Sequence, residues 1–552
     1  MALFRSFILP VAILAAMAAG SAWGGALAPE LQHSLEGAKP WERLPVIITF
    51  TDKVDPSQLF DRRGRVPRDR LIRALRAKAD LSQAPLKAFL GNKGHGITQL
   101  WLINGLAVAV PAGLVRFLSQ WPGVESVKLD YSIPTPVPVA APAGVPEWNL
   151  SAIQAPDLWA LGFTGQGMTI ASMDTGVDAQ HPDLSAKWRG GDNSWFDPYG
   201  VHPVPYDRHG HGTQTMGIMV GSDAGGTAIG VAPDARWIAV KIFNDAGVAQ
   251  ISAIHGGFQW LLDPDGVPGT DDAPDVVNAS WGLGNPGTCD PEFQQDMLML
   301  KTAGIVVVQA AGNDGPNAST SVSPANNPAG FAVGAVDGAS AVAGFSSRGP
   351  SACDGTIFPE LVAPGVAVRT ADLSFGGMLN YATVSGTSFA SPHVAGAAAL
   401  LLSALPGKSV LEVELSLKLS ATDFGAPQPD QAYGYGMMNV LAAYNRLSTD
   451  INCPAGSPDV DGDGIPDACD NCISEANADQ RDSNGDGFGN VCDGDLNNDG
   501  IVNLGDLVLM RNKLGTTDPD ADFDGNLTVD LGDVVSMKNH LGRPPGPSGL
   551  VP

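Results

Sequence analysis

An α/β fold built on a parallel sheet is predicted for the middle of this 552-residue chain. A small α+β segment precedes it and an acidic loop/helix tail follows. Three observations predict this. First, two apolar runs, Thr169 to Asp174 and Ile305 to Ala310, end in a small-residue turn that carries a polar side chain, as buried parallel strands do at their C-terminal edge. Second, an Ala/Gly-rich run from Val394 to Leu402 directly follows a Gly-Thr-Ser turn and reads as a buried helix. Third, composition shifts sharply near Thr449: from Asp450 onward stand twenty acidic and five basic residues, a net −15 of the chain's −26.

In chain order, residues 1–22 have a basic start (Arg5), an apolar stretch and small residues at Gly20 to Ala22. This reads as a secretory signal peptide; an uncleaved anchor is the alternative, although Pro10 breaks the stretch and it is short for a membrane span. Residues 45–131 alternate strand and helix patterns: strand at Pro45–Phe50, amphipathic helix at Arg70–Leu90, strand at Leu106–Val110, and a last strand through Val127. Residues 132–146 are rich in Pro and Ala, the composition of an extended linker.

The central region, residues 147–447, holds four short motifs. Asp174-Thr175-Gly176 ends the first strand, and Gly210-His211-Gly212-Thr213 keeps a histidine accessible between glycines. Ala311-Gly312-Asn313 offers a side-chain amide at a strand edge, and Ser388 opens the buried helix. Alone, each is an ordinary cap or turn. Together they supply the roles nucleophilic acyl transfer requires. Ser388 is a weak nucleophile until a base takes its proton. His211 can be that base and then the acid, with Asp174 fixing its tautomer. Asn313 and the Ser388 amide can bind the oxyanion. His209 is a rival base beside His211.

These motifs, with Asn278-Ala279-Ser280-Trp281-Gly282, Phe345 to Pro350 and Val362 to Gly365, resemble the subtilisin-like serine proteases (subtilases), nearest the bacillopeptidase F-like branch. The resemblance implies a subtilisin-like fold and a secreted serine endopeptidase. It implies an extended substrate beside Ser280, Trp281 and Gly282, with Ala311 and Gly312 as further wall; Trp281 is either pocket lining or core filling. It also implies that residues 45–131 are an inhibitory prodomain, removed by autoprocessing near the linker; a permanent N-terminal domain is the alternative. Two features depart from the family. Gln214 stands where many members have a second histidine, and the short loop Asp223 to Thr227 is poor in the oxygen ligands of the usual calcium loop. No acid is placed to select a basic side chain, so apolar or broad preference is expected.

In the tail, Asp459, Asp461, Asp463 and Asp467, then Asp482, Asn484 and Asp486, alternate oxygens around glycine turns, as a hard cation such as calcium needs. Residues 453–493 resemble thrombospondin type 3 repeats, which implies Cys453–Cys469 and Cys472–Cys492 disulfides. In residues 494–543 a unit repeats at an offset of 27. Asp495, Asn497, Asp499, Ile501, Asn503 and Asp506 form one ligand set; Asp522, Asp524, Asn526, Thr528, Asp530 and Asp533 form the other. This resembles a dockerin and implies a cohesin-like partner, the alternatives being a self-contained calcium-stabilised tail or solvated disorder. Cys289 and Cys353 remain and can pair. Net acidity argues against nucleic-acid binding, and no phosphate loop or cysteine-protease motif is present. The function expected is therefore peptide-bond hydrolysis outside the cell or at its surface. An inactive interaction protein that works through its tail is the alternative.

Overall fold

The computed structural model describes residues 25–60, 65–91, 93–138, 147–426 and 429–448, and in the tail 458–462, 465, 467, 470–477, 481, 487–497, 500–516, 518, 520–523 and 528–548. The signal-peptide reading and the Cys453–Cys469 pairing lie outside these residues. So do most of the expected linker, from residue 139, and the ligands Asp463, Asp482, Asn484, Asp486, Asp499, Asp524 and Asn526.

Two compact units are present. One comprises residues up to 54 with 75–131 and contains a five-stranded sheet. Its order is Ala26–Leu27, Val124–Leu129, Arg43–Phe50, Gly105–Pro111 and His95–Leu100. The β-branched run Val46, Ile47, Ile48 is fully buried at its centre. Two of these strands, Ala26–Leu27 and His95–Leu100, carry no strong sequence pattern; their pairing with better strands holds them.

The second unit, residues 55–74 and 132–552, contains a seven-stranded sheet with helices, an α/β fold. Its order is Leu361–Pro364, Ala332–Val336, Val306–Ala310, Val276–Ala279, Thr169–Asp174, Arg236–Lys241 and Trp195–Phe196, and every pairing is parallel. Thr169–Asp174 lies between strands that come later in the chain on both sides, so its C-terminal end faces the kind of crevice where open α/β sheets place their sites. The helix Thr387–Ala404 packs on the central strands and on the helix His211–Val220. Its alanines, including Ala395, Ala397, Ala398 and Ala399, allow that close approach and are fully buried. A disulfide joins Cys289 to Cys353.

In the tail, Val502, Met510, Ala521, Phe523, Val529 and Met537 form a small core of their own. The helices Leu504–Lys513 and Leu531–His540 start with matching capping boxes, Asn503 with Asp506 and Asp530 with Asp533. Cys472 is bonded to Cys492.

Candidate active site

Asp174 ends its strand fully buried. Its carboxylate accepts the Thr175 amide at 2.7 Å and meets His211 Nδ1 at 2.8 and 3.0 Å. The two elements can come this close because residue 212 is glycine: a Cβ there would stand 2.1 Å from the Gly176 carbonyl oxygen. The Gly212 amide donates to Thr175 Oγ1 at 2.8 Å, locking the helix His211–Val220 to the strand end.

Asp207, which the motifs did not single out, builds the turn that presents His211. Its Oδ1 accepts the amides of His209 and Gly210, and its Oδ2 accepts the Thr213 amide and hydroxyl. An acid six residues before a threonine in Gly-His-Gly-Thr was the available signal. Lys241 was also missed; it is buried at the end of the adjacent strand and donates to the Thr175 carbonyl at 2.7 Å. His209 is exposed, whereas His211 is buried against Asp174. Burial, the largest single influence on His211, opposes its charged form. The charge and hydrogen bond of Asp174, with the charge of Asp207, outweigh it, so His211 titrates above an ordinary histidine.

Ser388 sits in the first turn of the helix Thr387–Ala404. Before it, Gly386 adopts φ 152° and ψ 158°, a conformation essentially restricted to glycine. The Ser388 hydroxyl donates to the Ser280 carbonyl at 3.2 Å, and His211 Nε2 is buried with no hydrogen-bond partner. That nitrogen has an open lone pair once Nδ1 carries the proton toward Asp174. A side-chain rotation of Ser388 would redirect its hydroxyl; catalytic bonds of this kind often tighten only with substrate bound.

Asn313 is held by one neighbour. Its Oδ1 accepts the Thr387 amide at 2.9 Å and the Thr387 hydroxyl at 3.0 Å, which leaves its NH2 group as the outward donor. The Thr387 hydroxyl in turn accepts the Gly312 amide at 3.2 Å.

The expected substrate wall divides. Ser280 is buried, with its hydroxyl bonded to the Ser388 carbonyl at 2.8 Å and within 3.0 Å of Ser391 Oγ. Trp281 takes the core-filling role, edge-on to Phe293 with ring centroids 5.4 Å apart. Ala311 is buried as well. Gly282 and Gly312 are partly exposed, and a Cβ at either would meet Val322, at 2.8 and 2.7 Å. The start of the expected linker is not free: Ser132–Pro134 pairs antiparallel with Val248–Gln250, and the Thr135 amide donates to the Gly247 carbonyl at 2.7 Å.

At the short loop after Ser222, Asp183 is fully engaged by protein donors: Ser222 Oγ and the Ala224 amide on Oδ1, and the Tyr381 hydroxyl on Oδ2. In the tail, Asp495, Asp506, Asp522 and Asp533 are buried. Asp506 reaches back to the Asn497 amide and Asp533 to the Phe523 amide, so each loop closes from its twelfth position onto its start. Asp459, Asp461 and Asp467 are described near one another in sequence, and the Val460 amide donates to Asp467 at 2.8 Å. Ile501, Asn503, Thr528 and Asp530 complete the described ligand candidates, Asn503 and Asp530 acting as helix caps.

Comparison with known proteins gives a consistent result. Residues 165–436 match the model of the subtilase family. Bacillopeptidase F of Bacillus subtilis (strain 168) is 36% identical over 436 residues, 72% of this chain but only 30% of that protein. Subtilisin E of the same organism is 34% identical over 366 residues, covering 66% of this chain and 87% of the relative. Subtilisin of Bacillus pumilus is 37% identical over 298 residues, 54% of this chain and 98% of the relative.

Proposed function

The chain belongs to the subtilase family of serine endopeptidases, and on that premise we propose that it cleaves peptide bonds through Ser388, His211 and Asp174, with Asn313 in the oxyanion hole. The observation that carries this reading is the 2.8 Å bond between His211 Nδ1 and Asp174, which leaves Nε2 buried and free to accept a proton. Ser388 Oγ attacks the scissile carbonyl while His211 Nε2 takes its proton. The tetrahedral oxyanion receives hydrogen bonds from Asn313 Nδ2 and the Ser388 amide, the latter at a helix N-terminus. His211 then protonates the leaving amine, and water repeats the sequence on the acyl-enzyme. Val322 beside Gly282 and Gly312 favours apolar or broad side-chain preference.

The first unit serves as an inhibitory prodomain in this reading. Support comes from the Ser132–Pro134 strand just after it, which adds to the peptidase as an extended peptide would. Processing would fall within or just after that segment, and the N-terminus of the mature protein, read by mass spectrometry, tests it. The N-terminal residues support secretion as a zymogen. Among the described residues no helix is long and apolar enough to cross a membrane.

The tail reads as a calcium-dependent module. Its all-oxygen donor set and four buried carboxylates fit a hard cation, which would supply charge compensation and no catalytic chemistry. Leu504 and Val508 are exposed on one helix, and Leu531 and Val535 at the same offset on the other. These repeated apolar pairs support docking to a cohesin-like partner. A pulldown with the full chain, with and without calcium, tests this, and loss of no partner on Leu504→Asp plus Leu531→Asp would remove it.

The main test concerns the reaction. Casein hydrolysis by the mature protein should be blocked by a serine-directed inhibitor and absent in Ser388→Ala. Equal hydrolysis by that variant would falsify the assignment and favour the interaction-protein alternative.

A further inference from the structure

We propose a calcium-type cation site in the peptidase unit itself, formed by Asp263, Asp265 and Asp272 and separate from the tail and the catalytic residues. One carboxylate oxygen from each of the three lies within 4.8 Å of the others. Oxygens that share one calcium ion at 2.3–2.6 Å can stand no more than about 5 Å apart, so this spacing suits a single ion.

The cluster has more than charge to recommend it. Asp272 is 93% buried, at 7% exposure. Its Oδ2 accepts a hydrogen bond from the side-chain Nδ2 of Asn193 at 3.0 Å, while Oδ1 is buried with no hydrogen-bond partner. A carboxylate oxygen removed from water without a donor is unfavourable unless a cation meets it. The Arg189 guanidinium lies close enough to interact with Asp272 by charge but gives Oδ1 no hydrogen bond. Arg189 donates from Nε to Ser194 Oγ, from Nη1 to the Asp272 main-chain carbonyl at 2.6 Å, and from Nη2 to the Asn193 carbonyl.

The local chain fits a ligand loop. Asp263 follows the last residue of the helix Ile251–Leu262, its amide still bonded to the Trp260 carbonyl. Gly266, at φ 78°, turns the chain, and Asp265 Oδ1 accepts the Val267 amide at 2.8 Å. Asp265 is exposed, which leaves a face where water can complete the coordination. The bound ion would tie the end of one helix to the segment that enters the strand Val276–Ala279. That strand leads into Ser280, so the ion would brace one wall of the cleft from a distance and add stability that grows with the logarithm of free Ca2+ above its Kd.

The experiment uses the full chain with Ser388→Ala, so that the sample does not digest itself, and Ca2+ alone as the probe. Bound Ca2+ per chain is counted by equilibrium dialysis at calcium levels up to about the millimolar range of extracellular modules. Asp272→Asn and, independently, the exposed Asp265→Asn are compared with this parent. Each variant should bind one Ca2+ fewer, while the tail sites stay filled, and the calcium-dependent rise of the peptidase Tm should shrink. Both variants should also be more stable than the parent in chelator, because a repulsive charge is gone. Unchanged stoichiometry in Asp265→Asn, with the same calcium-dependent Tm shift as the parent, overturns the site. Failure of Asp272→Asn to fold leaves the Asp265→Asn result decisive.

Discussion

The hydroxyl of Ser280 donates to the main-chain carbonyl of Ser388 at 2.8 Å, in the place of an amide hydrogen that Pro392 does not have. A proline inside a helix leaves the carbonyl four residues earlier without its partner. Here that carbonyl belongs to Ser388, the proposed nucleophile. The Ser280 bond therefore ties the strand Val276–Ala279 to the first turn of the helix that carries Ser388. Ser280→Ala should orphan a buried acceptor and lower stability by about 1–3 kcal/mol. Calorimetry of the variant, made with Ser388→Ala, gives the value. A Tm equal to that of the parent would remove the bracing role.

Asn313 is predicted to act on the transition state and little on substrate binding. Asn313→Leu should reduce kcat by about 10²–10³-fold with KM nearly unchanged, a range that comes from subtilisin itself. Thr387→Val should lower kcat as well, because both Thr387 donors fix the amide, while Thr387→Ser should restore most of it. A Thr387→Val change confined to KM would contradict this.

Activity should depend on pH above the ordinary histidine range. His211 must be neutral to accept the Ser388 proton, and its surroundings favour the charged form. The kcat/KM profile should therefore rise through an apparent pKa above about 6.5. Asp207→Asn removes one of the charges that favour the imidazolium, so its limb should move to lower pH. A limb that stays fixed or moves upward would count against that account.

Acid should destabilise the peptidase unit through His393. Burial pushes this histidine down to about 4, against a weaker opposing influence from the Phe389 carbonyl. Nδ1 donates to that carbonyl at 2.8 Å and Nε2 accepts from Asn149 Nδ2 at 2.8 Å, so the ring is held neutral. A group with a depressed folded pKa contributes stability that is full above its unfolded value and is lost as pH falls. Denaturant melts between about pH 6.5 and 4 should thus show a slope that flattens in His393→Gln. An identical slope in the variant would assign acid lability to other groups.

The central strands were legible because runs such as Val306–Val308 are β-branched, apolar and short, and the four motifs named the candidate reacting groups. The structure brings Asp174 to His211 and Asn313 to Thr387, contacts that span 37 and 74 residues of sequence. What sequence could not show depends on such distances. Asp207 looks like any loop acid until its four donors are seen. Ser280 stands in the expected pocket wall, and the missing amide of Pro392, 112 positions later, makes it a bracket as well. Asp272 stands in an acidic, proline-rich loop and gains meaning only from the Asn193 and Arg189 contacts that leave one oxygen bare. The first three residues of the expected linker became a strand because an unpaired edge at Val248–Gln250 was available, and local composition carries no record of a partner edge.

The helix that carries Ser388 is buried without a break from Thr387 to Leu401, fifteen residues in succession. For laboratory evolution this makes the address of the proposed nucleophile nearly untouchable, since each substitution there is first a trial of folding. New selectivity must be recruited from exposed loops instead, where residues 284–288 and 375–379 face solvent. Libraries confined to those two stretches should retain far more folded clones than libraries aimed at the helix.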